Sequence, residues 1–238
     1  MKKAIVVGAS SGIGRELARL LAEEGYTVGI TGRRKDLLEE LKKDSSENII
    51  VKAFDINDHP LALKMLNELV IELGGMDLLI FSSGTGEINK ELDFNIEKET
   101  INTNVLAWTA IIGWAFNCFI QQKLGHLVAI TSIGGLRGNP NAPAYNATKA
   151  FQINYLEGLR MSVHKKGYKI YITDIRPGLV DTAMAKGDGL FWVMPVTKAS
   201  KQIYNAIKSK KSVAYITKRW GIIAFLMKIL PRSILCKT

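Results

Sequence analysis

The sequence predicts an α/β protein: a single doubly wound domain with a mainly parallel, seven-stranded sheet and helices on both faces. Three observations carry this expectation. Short apolar, β-branched runs alternate with longer helical patterns along the 238 residues, as strands do when buried on both faces and joined by crossover helices. The first of these runs ends in a glycine-rich turn that leads straight into an amphipathic helix. No repeat or low-complexity tract interrupts the alternation, so successive units add to one sheet. With 47% hydrophobic and 23% charged residues, the chain is expected to be soluble, with one sizeable core. Residues 1–217 form the domain and residues 218–238 a tail.

Lys3 to Gly8 is the first strand. Gly8-Ala9-Ser10-Ser11-Gly12-Ile13-Gly14 follows, then a helix to about Glu24 with Ile13, Leu17, Leu20 and Leu21 on one side. Gly8 permits a tight turn, Gly12 lets backbone approach a pyrophosphate, and Gly14 lets helix and strand pack closely. The N–H groups of this turn, Ser10, Ser11 and Ile13 included, are expected to face the phosphates of a dinucleotide.

A second strand, Thr27 to Thr31, ends in Gly32-Arg33-Arg34-Lys35. A carboxylate at this place holds a ribose 2′-hydroxyl, and a base holds a 2′-phosphate. No carboxylate stands at the strand end, although Asp36 lies a few residues on, and an arginine fork suits phosphate. NADP(H) is therefore expected over NAD(H), with Arg33 the first candidate, Arg34 the second, and Lys35 opening a solvated helix to about residue 43.

Ile49 to Phe54 is a third strand. Asp55 after it suits a turn as well as contact with an adenine amino group. Asp58 is placed to cap a helix to about Leu73, with Pro60 in its first turn. The three histidines have no acid and nucleophile arranged around them, so a hydrolase triad has little support.

Met76 to Phe81 is the fourth strand. In Ser82-Ser83-Gly84-Thr85-Gly86, the small Ser83 and Gly84 leave room for a nicotinamide ribose. One long, mostly apolar helix is expected from about Asn95 to Lys123, buried on several sides, with packing between subunits a natural way to cover it. Asn104 within it needs hydrogen-bond partners.

His126 to Thr131 is a fifth strand that delivers Ser132 at its carboxyl end, where parallel sheets set their ligand crevice. A Gly- and Pro-rich span leads to Tyr145, and Gly135 to Pro143 in it is expected to wall the substrate site. Tyr145 and Lys149 stand four apart on one face of the next helix, which runs to about His164. An ammonium beside a phenol can move protons. Lys169 to Ile175 is a sixth strand, closed by Arg176-Pro177-Gly178. Leu179 to Pro195 lacks a helical period and reads as an apolar lid. A helix at Pro195 to Ser209 and a strand at Ser212 to Thr217 complete the domain.

Together these residues resemble the short-chain dehydrogenase/reductase family over nearly the whole chain. The family's Thr-Gly-x-x-x-Gly-x-Gly is here Val7 to Gly14, departing at Val7. Its Ser and Tyr-x-x-x-Lys match Ser132, Tyr145 and Lys149, and its helix asparagine matches Asn104. Pro177-Gly178 matches the Pro-Gly after the sixth strand, and Thr182 is placed like the threonine that contacts the nicotinamide carboxamide. The usual Asn-Asn-Ala-Gly is Phe81-Ser82-Ser83-Gly84, and Ala107 replaces a frequent glycine. The resemblance implies a Rossmann-type fold, a homodimer or homotetramer, and reversible hydride transfer between a nicotinamide and a carbonyl or alcohol. Tyr145 would supply the proton, and Lys149 would lower its pKa of about 10 and reach the ribose hydroxyls. Ser132 would hydrogen-bond the developing oxyanion, a role worth about 2.7 to 4 kcal/mol. Asn104 would relay protons to Lys149 through a water. Leu179, Met184, Leu190, Phe191, Trp192, Val193 and Met194 suit an apolar substrate: steroid-like, lipid-derived or a small ketone. A nicotinamide-binding regulatory or scaffold protein on the same fold is the alternative.

Charge is divided along the chain. Residues 1–188 hold 22 Lys or Arg and 22 Asp or Glu; residues 189–238 hold ten Lys or Arg and no acid, the whole net charge of +10. Lys218-Arg219-Trp220 opens an apolar run to Leu230 that is too short to cross a hydrocarbon core of roughly 30 Å. It is expected to cover the pocket or a partner, or to lie on an anionic membrane surface as a peripheral contact; no motif accompanies it that would read nucleic acid. Cys118 and Cys236 have neither metal-ligand nor disulfide spacing, and no metal site is expected. Only four apolar residues separate Lys3 from Gly8, too few for a secretory signal. No uninterrupted apolar stretch of about 18 residues is present to span a bilayer, so the expected location is cytoplasmic.

Overall fold

The β-branched runs become β1 (Lys3–Val7), β2 (Thr27–Gly32), β3 (Ile49–Ala53), β4 (Leu78–Phe81), β5 (Leu124–Ile130), β6 (Lys169–Pro177) and β7 (Val213–Ile216). The computed structural model describes residues 2–45, 47–184 and 191–231. The strands form one sheet in the order β3-β2-β1-β4-β5-β6-β7, with every neighbouring pair parallel. The chain builds outward from β1 to β3, then returns to lay β4 on the other side of β1. That reversal separates the loops leaving β1 and β4 and opens a crevice at their carboxyl ends.

Helices α1 (Gly12–Glu23), α2 (Lys35–Ser45), α3 (His59–Leu73), α4 (Phe94–Ile101), α5 (Trp108–Gln122), α6 (Pro143–Lys166), α7 (Val196–Lys208) and α8 (Lys218–Ile229) make the connections and the chain's end. Strand alternation divides the core into two layers. Ala4 and Val6 of β1 join Leu17, Leu21, Leu38, Leu41 and Ile203 on one face of the sheet. Ile5 and Val7 join Leu66, Leu69, Trp108, Phe119 and Leu156 on the other. Each fully buried Val, Leu, Ile or Phe among them contributes about 1.5 to 3 kcal/mol, so close-packed layers lie under both sides of the crevice.

The long helix is not uniform. Between α4 and α5 the backbone makes a π-helical turn, Asn102–Ala107, a wider winding that often marks functional positions. The whole run Phe94–Gln122 is 29 residues and, by length and composition, apolar enough to cross a membrane. Its Trp108, Ile111, Ile112, Ala115 and Phe119 are buried against the sheet, the setting of a core helix.

The last helix keeps two apolar sides. Trp220 and Ala224 of α8 are buried, whereas Ile222, Phe225, Leu226 and Ile229 are exposed. The Gly187, Gly189 and Leu190 positions of the expected lid, and Cys236, lie outside the described residues.

Candidate active site

The glycine-rich turn takes the shape that its residues require. Gly8 has φ +91° and Gly12 φ +58°, conformations open mainly to glycine. A β-carbon on Gly14 would overlap the Gly8 carbonyl oxygen, so helix and strand meet only because that carbon is missing. Gly8 N and Ala9 N both donate to Thr31 O, at 3.0 and 2.8 Å, tying the turn to the end of β2. Ser11 is the N-cap of α1 and makes no side-chain cap, which leaves first-turn N–H groups for an anion. The residues present fit the phosphates of a dinucleotide: backbone donors and a helix N-terminus. Ile13 lies in the first turn of α1 and packs on the adjoining core.

The basic pair after β2 is arranged differently from the expected order. Arg34 Nη2 donates to Ser10 Oγ at 2.9 Å and to Ser11 Oγ at 2.7 Å, which lays its guanidinium on the turn. Arg33 points out to solvent, with Nη1 at 3.8 Å from Asp55 Oδ2. Asp55 Oδ1 accepts from Asn57 N at 2.9 Å, so this carboxylate closes a local turn and leaves one oxygen toward Arg33. Arg34 rather than Arg33 is therefore the residue brought to the phosphate turn. Gly32 faces Ser10, whose Cβ lies 3.4 Å from where a Gly32 β-carbon would stand.

Ser132 leaves β5 after Thr131 and caps the 3₁₀ turn Ile133–Leu136 through Gly134 N, which donates to Ser132 Oγ at 3.0 Å. Ser132 Oγ and Tyr145 Cε1 both face Gly134, 3.2 and 3.5 Å from where its β-carbon would stand. Burial pushes the phenol above its ordinary value, and the hydrogen bond with Ser132 pulls it partly back. The phenol was expected to be lowered by Lys149. That ammonium has two acceptors of its own: Lys149 Nζ donates to Ile130 O at 3.2 Å and Gln152 Oε1 at 3.1 Å, and lies 5.7 Å from the Tyr145 ring centroid. Burial brings Lys149 down to about 8, opposed by the charge of Asp174. Of its three N–H donors, two have these partners and one is left for the crevice.

Asn104 is fully buried in the π turn. Its carboxamide pairs with Thr85 as a strand neighbour would, accepting from Thr85 N at 3.0 Å and donating to Thr85 O at 2.7 Å. The second N–H goes to Thr148 Oγ1 at 3.1 Å. The Asn104 backbone carbonyl accepts from Gln152 Nε2 at 2.8 Å. Gln152 thus joins Asn104 to Lys149, in the place expected of a water.

The β4 loop closes over this set. A β-carbon on Gly84 would lie 3.3 Å from Asn104 Oδ1 and 3.6 Å from Lys149 Nζ, and one on Gly86 would overlap the Tyr145 ring. Ser83 N donates to Val7 O at 3.1 Å, which sets Ser83 beside Gly8. Asn146 Nδ2 donates to Gly134 O and Arg137 O, at 2.8 and 2.9 Å, holding the loop after Ser132 against α6. Thr182 arrives at the turn as well, its Cγ2 3.2 Å from where a Gly12 β-carbon would stand.

Pro177 ends β6, and Gly178 N donates to Ile216 O at 2.7 Å. The Trp220 indole lies so close over Gly178 that a β-carbon there would overlap it. Phe191, Trp192 and Trp220 cluster with centroids 5.4 to 6.1 Å apart, and Asp181 N and Met194 N close the base of the lid on Met194 O and Leu179 O, at 2.9 and 3.0 Å. Beneath the site, Asp174 is fully buried. It accepts from Thr131 Oγ1 at 2.5 Å and Arg176 Nε at 2.7 Å.

Sequence reasoning passed over Gln152, Asn146, Thr148 and Arg137. Gln152 had a signal, as a polar residue three positions after Lys149 and so on its face of the helix. Asn146 and Thr148 sit inside the Tyr-x-x-x-Lys spacing, where nothing in their type separates a buried clamp from a solvated residue. Arg137 donates from Nε to Met227 O at 2.6 Å and from Nη2 to Lys228 O at 3.0 Å, a contact across 90 residues that spacing cannot reveal.

A glycine turn for phosphates and a Ser–Tyr–Lys set at the strand ends of a parallel sheet define an oxidoreductase of the Rossmann class. Residues 2–189 match the family model described as short chain dehydrogenase. An uncharacterized oxidoreductase of Mycobacterium tuberculosis is 32% identical over 240 residues, covering 97% of this chain and 94% of its own. One from Myxococcus xanthus is 33% identical over 188 residues, covering 77% of this chain and 74% of its own. Among solved structures, "ElxO with NADP Bound" superposes with a TM-score of 0.79 at 24% identity, covering 90% of this chain and 96% of that one. Serine dehydrogenase from Escherichia coli has a TM-score of 0.69 at 28% identity, covering 74% and 82%. The chain belongs to the short-chain dehydrogenase family, and it is an oxidoreductase of that family.

Proposed function

We propose that this protein is an NADP(H)-dependent oxidoreductase that reduces the carbonyl of an apolar substrate and runs the reverse oxidation of the alcohol. The observation that carries the reading is the placement of the Ser132 hydroxyl and the Tyr145 ring against the same residue, Gly134, beside a turn fitted to a dinucleotide. When bound in that turn, the dinucleotide supplies or accepts the hydride.

The chain's own residues do the rest. Ser132 and Tyr145 converge on one point, where a carbonyl oxygen can accept from both. Ser132 stabilises the negative charge that grows on that oxygen, and Tyr145 delivers the proton. Burial holds the phenol above its ordinary value, which keeps its proton on until an oxygen beside it can take it. Lys149 directs its remaining N–H toward the crevice, where a ribose hydroxyl can take it. Gly8 to Gly14 bind phosphate, and Arg34, laid on Ser10 and Ser11, meets a 2′-phosphate. The NADP named with the ElxO structure supports that choice. The apolar Leu179, Phe191, Trp192 and Met194 suit an apolar substrate.

The test is NADPH oxidation across a panel of apolar ketones and aldehydes, with NADH alongside. Turnover is expected with NADPH on at least one of them, and Ser132→Ala should lose about 10² to 10³ in kcat. No turnover on any carbonyl, or full turnover in Ser132→Ala, contradicts the proposal.

A further inference from the structure

Gln152 is fully buried on α6. Its Oε1 accepts from Lys149 Nζ at 3.1 Å and its Nε2 donates to the Asn104 carbonyl at 2.8 Å. A water between the same two partners can accept one proton while passing another on. A carboxamide cannot do this at ordinary cost, because its N–H and C=O ends keep their identities. We propose that Gln152 is a positioning residue that aims the Lys149 ammonium and replaces a proton-conducting link to Asn104 with a fixed one. The proposal rests on the reading that Tyr145 and Lys149 serve proton transfer.

The surroundings of Lys149 explain why such a residue matters. Burial works against its charge, and an acceptor bonded to the ammonium favours the charged form. The other groups around it are Tyr145 on its own helix, the Ile130 carbonyl of β5, Gly84 and Asn104 across the crevice, and buried Asp174 of β6 with its partner Arg176. Asp174 is already committed to Arg176 and Thr131. Without Gln152, the ammonium loses an acceptor and the Asn104 carbonyl loses its donor. A less charged Lys149 then gives less help to a tyrosinate.

The experiment titrates Tyr145 by ultraviolet difference spectra, subtracting Tyr145→Phe in each background, with no dinucleotide present. Gln152→Leu should move the Tyr145 titration up by about one pH unit, as expected for a lost hydrogen bond to a charged group. Gln152→Glu, which keeps the acceptor, should return it to the starting value or below. Gln152→Met serves if the leucine variant does not fold. In turnover, kcat should fall about tenfold in Gln152→Leu, with the alkaline limb of its pH profile displaced in the same sense. A lower kcat with an unchanged titration, or a shift that glutamate fails to reverse, overturns the proposal. Full turnover in Tyr145→Phe would instead overturn the functional reading, and the titration distinguishes the two failures because it needs no activity.

Discussion

Arg34 reaches back across 23 residues to donate a hydrogen bond to Ser11 Oγ at 2.7 Å. With Ser10 at 2.9 Å, this sets its guanidinium at the phosphate turn, whereas Arg33 faces Asp55 at 3.8 Å. Arg34→Ala should therefore raise KM for NADPH about tenfold or more while changing KM for NADH less than twofold, since a charge-assisted bond to phosphate is worth about 1.5 to 3 kcal/mol. Arg33→Ala should have the smaller effect. Steady-state kinetics with both dinucleotides checks the order.

Gly86 lies against the Tyr145 ring with no space for another carbon. Gly86→Ala must displace either the ring or the loop, and a misplacement of about 1 Å at a reacting group costs about 10² in rate. kcat should fall by that order while the thermal midpoint moves little, which paired kinetics and calorimetry will read.

His126 is buried on β5, with Nε2 at 2.8 Å from Thr173 Oγ1, and burial, helped by the charge of Lys210, brings its pKa down from 6.5 to about 4. The unfolded chain binds this proton between pH 6.5 and 4, and the folded chain does not, so stability falls as pH drops through that window. The loss reaches about 3 kcal/mol at its acid end. Urea unfolding of the wild type should show a steeper decline from pH 6.5 to 4 than that of His126→Gln. Equal slopes would contradict the assignment.

Asp174 and Arg176 form a buried ion pair under Ser132. Removing one partner leaves the other charged and desolvated, at a cost of about 3 to 5 kcal/mol. Asp174→Asn and Arg176→Met should each destabilise by that order, and the double variant by less than their sum. Urea unfolding of the three variants tests this.

Much of the architecture was legible in the residues. Short apolar runs, the turn from Gly8 to Gly14, and the spacing of Tyr145 and Lys149 depend on local geometry, which a linear pattern preserves. What escaped depends on packing across the chain. The π turn at Asn102–Ala107 lies within an apolar run whose pattern is the same for either winding. The ranking of Arg33 and Arg34 turned on which side chain reaches the Ser10 and Ser11 hydroxyls, a question of direction rather than charge. The expected influence of Lys149 on Tyr145 assumed that four residues of helix bring charge and phenol together. The Ile130 carbonyl and Gln152 also fix the ammonium, which lies 5.7 Å from the ring centroid.

The central claim is that Tyr145 delivers the proton while Ser132 holds the oxygen. The most direct measurement is single-turnover oxidation of NADPH by a carbonyl substrate in the wild type and in Tyr145→Phe, with dinucleotide binding measured separately in both. The predicted result is NADPH binding within about threefold of wild type and a chemical step slower by about 10² to 10⁴ in the variant. An unchanged chemical step in Tyr145→Phe would contradict the mechanism.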